Sequence, residues 1–265
     1  QRENAAQRFE QLRRLVQEGV PTVVVHPAAE AILLHELAMI QHDTQSVLVS
    51  WNPVLAHPAA VKVLDVGADA GLTNASHVSI QRAMDEPRWE DVTVQASRDA
   101  QWVRHLIGPP DRVTALAPAS ESGVFSNLSI TFVGPGGAMA QWSLAAAEDD
   151  AIVVETRDRR AQWKLTGNEA SELLVHVGDA AETKSWSVQE VRKAQGEDLL
   201  TMAERALNDP AQVQNFDDAS RAVELAEAAH ESNRRNRTIH LHYEEHSEQQ
   251  TFKSVMAAGG CLLLL

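Results

Sequence analysis

Apolar spacing switches from helical to strand period and back within the first 50 residues. Phe9, Leu12, Leu15 and Val16 recur at helical intervals and Gly19 suits a helix C-terminus, so the pattern predicts a helix ending near Glu18. Thr22 to Val25 is an unbroken β-branched run, the pattern of a strand buried on both faces of a parallel sheet. His26-Pro27 breaks it, and a second helix follows over about Ala29 to Gln41. Ser46 to Trp51 reads as another strand, stopped at Asn52-Pro53 because a residue before proline is pushed out of the helical region. This α-β-α-β order predicts parallel pairing through a crossover. His26 then stands at the carboxyl end of a strand, where open α/β sheets bind ligands.

Beyond residue 52 the pattern changes. Pro58 to Val66 predicts a short helix and Ala75 to Ile80 a strand. Val92, Ala96, Ala100, Val103 and Ile107 keep helical spacing over Trp89 to Ile107, and Gly108-Pro109-Pro110 ends that helix. Short strands are expected at 113–116, 127–133, 139–145, 151–156, 162–165 and 172–177, with turns at Gly134 to Gly137 and Arg157 to Arg160. A helix over about Asp198 to Leu207 follows. Asp217 or Asp218 is placed to cap a long amphipathic helix through His230, and Thr238 to Tyr243 closes as a strand. The expected fold class is α+β: a small parallel α/β piece, then a largely antiparallel open sheet covered by helices on one face. The divisions are 1–52, 53–250, and an apolar tail over 251–265.

Composition narrows the partners. Of 265 residues, 44% are hydrophobic and 23% charged, an ordinary globular profile. The net charge of -14 argues against nucleic acid, which calls for a basic patch. Cys261 alone excludes a disulfide framework and any cysteine-based zinc site, and a reducing, cytoplasmic setting fits. The chain opens on Gln1 with no signal-peptide pattern, which reads as a fragment or a processed chain. The run from Val255 to Leu265 is wholly apolar, whereas a membrane helix needs about 20 such residues. Two readings stay open: half of a membrane anchor, or an apolar tail packed on the domain or disordered.

Three ordered stretches resemble the glucose-fructose oxidoreductase / inositol dehydrogenase / MocA-type (Gfo/Idh/MocA) oxidoreductases. Gly19 to Ala29 is similar to the family's G-K-H-V-L-x-E-K-P-x-A strand and break. Asp99 to Val113 is similar to its helix ending L-x-G-x-P-x-x-V. Asp217 to Leu241 is similar to its D-A-x-R-A-V-E-L-x-E-A-x-x-x-S helix and final strand. The resemblance implies the last part of a dinucleotide-binding, Rossmann-like domain followed by the C-terminal sheet domain. It also implies NAD or NADP as cofactor of the parent chain, a sugar-like or cyclitol substrate, and homo-oligomers paired through the open sheet face.

The departures fall on the chemistry. The 265 residues lack a G-x-G-x-x-G fingerprint, so the chain as given is expected to hold no dinucleotide. His26 stands where the family has the lysine of E-K-P. The family's usual histidine and aspartate fall on Arg98 and Gln101, with Asp99 two positions off and turned to another helix face; its arginine falls on Leu55. The candidate catalytic residues are therefore His26, Arg98 and Asp99, and the candidate cofactor contacts His26 and Pro27. His26 is either a proton shuttle beside a carbonyl or hydroxyl, or a structural histidine at a strand end. Arg98 and Asp99 either orient substrate or form a surface pair.

No metal is expected. His35-Glu36 with His42 has the wrong spacing for a zinc helix. His240, His242 and His246 near Glu244 and Glu245 fit the solvated face of a strand. Two function classes remain: an oxidoreductase passing hydride between nicotinamide and a sugar-like or cyclitol substrate, or a non-catalytic relative serving as a binding or assembly domain.

Overall fold

Period-two burial along seven strands, with one further strand at each edge, builds one large sheet. The computed structural model describes residues 2–70, 75–118, 123–145, 149–155, 159–166, 170–177, 180–209 and 216–241. In chain order the elements are α1 (Arg2–Gln17), β1 (Thr22–Val25), α2 (Ala31–Thr44), β2 (Leu48–Trp51), α3 (Pro58–Ala70), β3 (His77–Ala83), α4 (Trp89–Ile107), β4 (Arg112–Leu116), β5 (Leu128–Val133), β6 (Met139–Ala145), β7 (Asp150–Glu155), β8 (Arg159–Thr166), β9 (Ala170–Val177), β10 (Ala180–Ser187), α5 (Val188–Asn208), α6 (Phe216–Arg235) and β11 (Ile239–His240). The large sheet runs β10-β9-β8-β7-β3-β6-β5-β4-β11, and β1 and β2 form a separate two-stranded sheet. Every pairing in the large sheet is antiparallel except β3 with β6.

One face of this sheet is core. Val78 and Ile80 on β3, Leu128, Ile130 and Phe132 on β5, and Trp142 on β6 are sealed from water. They pack with Val92, Ala96, Ala100 and Val103 of α4, Ala59, Ala60 and Val63 of α3, and Ala222, Leu225 and Ala226 of α6. Burying one large apolar side chain contributes about 1.5–3 kcal/mol, so this stripe is the main source of stability. On the opposite face, Ser129, Thr131 and Val133 of β5 are half-buried and Gln141 of β6 is exposed. A smaller core joins Phe9 and Val16 of α1, Leu34 and Leu37 of α2, Leu48 of β2, and Phe216 and Val223 of α6. Helix α6 thus belongs to both cores and holds the parallel pair beside the large sheet.

The fold class is the α+β arrangement read from the sequence, with four corrections. β1 is not buried on both faces: Val25 is 51% exposed, because β2 is its only sheet neighbour among the described residues. The strands are not a simple antiparallel meander, since β3 inserts between β6 and β7 and runs parallel to β6. The sheet gains β10, and α5 starts ten residues earlier than expected. Among the described residues β10 pairs only with β9, and its described side chains are almost all exposed, so no apolar alternation marks it. The α5 start is a capping box: Ser187 Oγ accepts from the Glu190 amide, and the Glu190 carboxylate accepts from the Ser187 amide at 2.7 Å. Asp217 and Asp218 lie in the first turn of α6, where negative charge favours the helix dipole. The apolar tail, Tyr243 and the cluster around His242 and His246 lie outside the described residues. Among the described residues no helix is long and apolar enough to cross a membrane.

Candidate functional site

The carboxyl ends of β1 and β2 meet the middle of α4. The His26 amide donates to the Trp51 carbonyl at 2.8 Å, which continues the parallel register one residue past β1. The His26–Pro27 peptide is cis. The His26 imidazole is 1% exposed and hydrogen-bonds to the Ser97 backbone, and its Nε2 has no partner among the described residues. Burial, with the Arg98 charge adding to it, pushes its pKa down to about 4 against the opposing pull of the Ser97 carbonyl and Asp218. His26 is therefore neutral at neutral pH, and Nδ1, the remaining ring nitrogen, carries the proton donated to Ser97.

Arg98 donates from Nε to the His26 carbonyl at 2.9 Å. Its guanidinium is half-buried, and burial lowers its pKa while neighbouring Asp99 opposes that. Asn52, at the end of β2, ties the same place together. Its Nδ2 donates to the Arg98 carbonyl and to Gln101 Oε1, both at 2.9 Å, and its Oδ1 accepts from the Val54 amide at 2.9 Å. That last bond is an Asx turn, the reason the chain reverses at Asn52-Pro53. Pro27 is half-buried in the loop that leads to α2.

Asp99 faces elsewhere. One residue along a helix is a rotation of about 100°, and Asp99 points to the sheet. It is fully buried, accepts from Arg82 Nε at 2.9 Å and from Arg82 Nη2, and accepts from Trp142 Nε1 at 2.8 Å. Arg82 Nη1 reaches Asp150 at 2.8 Å. Burial alone would lower the Arg82 pKa; the charges and hydrogen bonds of Asp99 and then Asp150 more than offset it. The structure thus brings His26 and Arg98 together and commits Asp99 to Arg82 and Trp142.

His57 and Arg82 are the polar residues that sequence reasoning missed; it read Asn52 only as a strand break and Gln101 only as the residue standing where the family has an aspartate. His57 Nδ1 accepts from the Ala59 amide at 3.1 Å, capping α3, and its ring stands 4.5 Å from that of Trp163. Burial and then the Arg82 charge bring its pKa down to about 4. A signal for Arg82 was available: period two places it on the same face as Val78 and Ile80, and an arginine there requires a buried acid.

A dinucleotide's phosphates need a glycine turn leading into a free helix N-terminus. Neither turn here fits. At the start of α2 the Ala31 amide is already taken by the Glu227 carboxylate at 2.8 Å, and the preceding residue is Glu30. At the start of α3, His57 fills the cap. Among the described residues no group of three or more His, Cys, Asp or Glu side chains could hold a metal ion.

No family profile and no curated protein matches the chain. Solved structures do. An aldose-aldose oxidoreductase from Caulobacter crescentus complexed with glycerol superposes with a TM-score of 0.73 at 15% identity, covering 88% of this chain and 76% of that one. An oxidoreductase from Agrobacterium radiobacter in complex with NAD+, L-tartaric acid and magnesium gives 0.71 at 12%, covering 89% and 77%. A 3-ketoreductase from Actinomadura kijaniata in complex with NADP gives 0.67 at 13%, covering 85% and 74%. The chain has the fold of the Gfo/Idh/MocA-type oxidoreductases, the fold its three sequence stretches resemble.

Proposed function

We propose that this chain forms the substrate side of a nicotinamide-dependent oxidoreductase acting on a sugar-like or cyclitol substrate, with the nucleotide phosphates held by residues other than those described. One observation carries this reading: His26, Asn52 and Arg98 converge at the carboxyl ends of two parallel strands, the ligand-binding end of such sheets, in a fold shared with NAD- and NADP-bound oxidoreductases. In this role Arg98 orients the substrate, buried Asn52 holds Arg98 in place through its backbone carbonyl, and the unpartnered Nε2 of neutral His26 accepts from a substrate hydroxyl that displaces the groups now closing it. Asp99 keeps α4 seated on the sheet so that Arg98 stays aimed. Residues 1–52 and 53–250 act as two domains, and the open sheet face pairs two copies. A cytoplasmic setting suits this chemistry.

A specific observation favours a second reading, a non-catalytic binding or assembly protein. His26 Nε2 is closed to solvent and Asp99 is committed to Arg82, so neither presents a free group to a substrate.

The test is an assay of the 265-residue chain, and of any longer polypeptide that carries it, with NAD+ and NADP+ against cyclitols and aldoses. Turnover in the longer form that falls on His26→Ala supports the oxidoreductase. Ligand binding with no reduced nicotinamide in either form supports the second reading.

A further inference from the structure

Arg98 is a half-buried charge with no carboxylate within ion-pair distance among the described residues. The nearby acids are committed. Asp99, its sequence neighbour, pairs with Arg82. Asp218, whose charge acts on His26, pairs with Arg104 at 2.8 Å and lies 3.7 Å from His105. Withdrawing an unpaired guanidinium from water is unfavourable unless a counter-charge arrives. The chain carries a net charge of -14, yet none of its described acids meets this arginine.

Its placement is specific. Nε is held by the His26 carbonyl, and Asn52 holds the Arg98 backbone, so the side chain is anchored at both ends of its stem. Among the described residues neither terminal nitrogen makes a hydrogen bond, which leaves an oriented fork beside the ends of β1 and β2. A planar fork of this kind matches a carboxylate in a two-point, charge-assisted contact. We propose that Arg98 takes a carboxylate of the substrate, making an acidic sugar or hydroxy acid, rather than a neutral polyol, the ligand at the ends of β1 and β2. The inference rests on the reading of these strand ends as the substrate site. His26, a neutral acceptor, then suits a hydroxyl of the same molecule, and the charge goes to Arg98.

Calorimetry on the full chain tests it with D-glucuronate, D-glucose, the methyl ester of glucuronate and inorganic phosphate. D-Glucuronate is expected to bind about tenfold or more tightly than D-glucose or the ester. Arg98→Gln abolishes that preference, and Arg98→Lys keeps part of it, because an ammonium supplies charge without the fork. Should Arg98→Gln fail to fold, the comparison of glucuronate with its ester in the unaltered chain decides. Equal binding of glucose and glucuronate, no binding of any probe, or an undiminished preference in Arg98→Gln overturns the proposal. Competition by inorganic phosphate as strong as by glucuronate overturns the carboxylate assignment. A carboxylate preference without nicotinamide turnover defeats the oxidoreductase reading alone, and turnover without the preference defeats this one alone.

Discussion

Arg82 donates to both oxygens of Asp99, joining β3 to α4 through a buried bidentate ion pair. Trp142 Nε1 donates to the same carboxylate, so one aspartate anchors a helix to two strands. Breaking one partner of such a pair strands the other charge in the core. Asp99→Asn is expected to cost about 3–5 kcal/mol in urea unfolding. Arg82 retains Asp150, which places the loss toward the lower figure. A loss below about 1 kcal/mol would show that the pair adds little to the fold.

Much of the architecture was legible because burial imposes a period. The alternation of Leu128, Ile130 and Phe132 with Ser129, Thr131 and Val133 gave strand and face together, and Val92, Ala96, Ala100 and Val103 gave the packed stripe of α4. β10 was not legible because its exposed edge position imposes no pattern. The candidate site was half legible. His26 is announced by its strand end. The rotation that separates Arg98 from Asp99 follows from helix geometry, but their partners, the His26 carbonyl and the Arg82 guanidinium, come from 72 and 17 residues away. Such pairings are fixed only by the tertiary fold.

Acid should weaken the protein in a defined window. Burial holds His26 and His57 at about 4, against an ordinary value of 6.5. Between those values the unfolded chain binds more protons than the folded one, so stability rises with pH across the window. It is full above about pH 6.5 and is lost progressively as pH falls toward 4, by about 3 kcal/mol for each fully sealed imidazole. Denaturation at closely spaced pH values should show this slope, reduced in His26→Gln and again in His26→Gln/His57→Gln. A slope unchanged in both variants would mean the histidines titrate alike in both states.

Gly134 lies against the end of α4. A Cβ there would stand 2.7 Å from the Ile107 carbonyl oxygen, a backbone atom that cannot swing aside. Gly134→Ala is expected to destabilise by about 1–3 kcal/mol, whereas Gly136 has open space at the same turn but a φ of +68°. Thermal melts of the two alanine variants check this: Gly134→Ala melting like the parent would contradict the close approach.

The open sheet face should pair two copies. Thr131 and Val133 are half-buried on that face and flanked by Gln141 and Met139 of β6. Light scattering is expected to give a dimer that Thr131→Glu converts to monomer, because two facing carboxylates would be forced together. A monomer mass for the unaltered chain at high concentration would count against the interface.

Ligand binding at the carboxyl ends of β1 and β2 has a local signature in the backbone amides. Amide chemical-shift mapping of the isotope-labelled chain during a D-glucuronate titration tests it most directly. Saturable shifts confined to His26, Asn52, Val54, Arg98, Gln101 and their neighbours are expected. Shifts centred instead on the hollow formed by Ile107, Gly108, Pro135 and Gly136, or no saturable shifts at all, would contradict it.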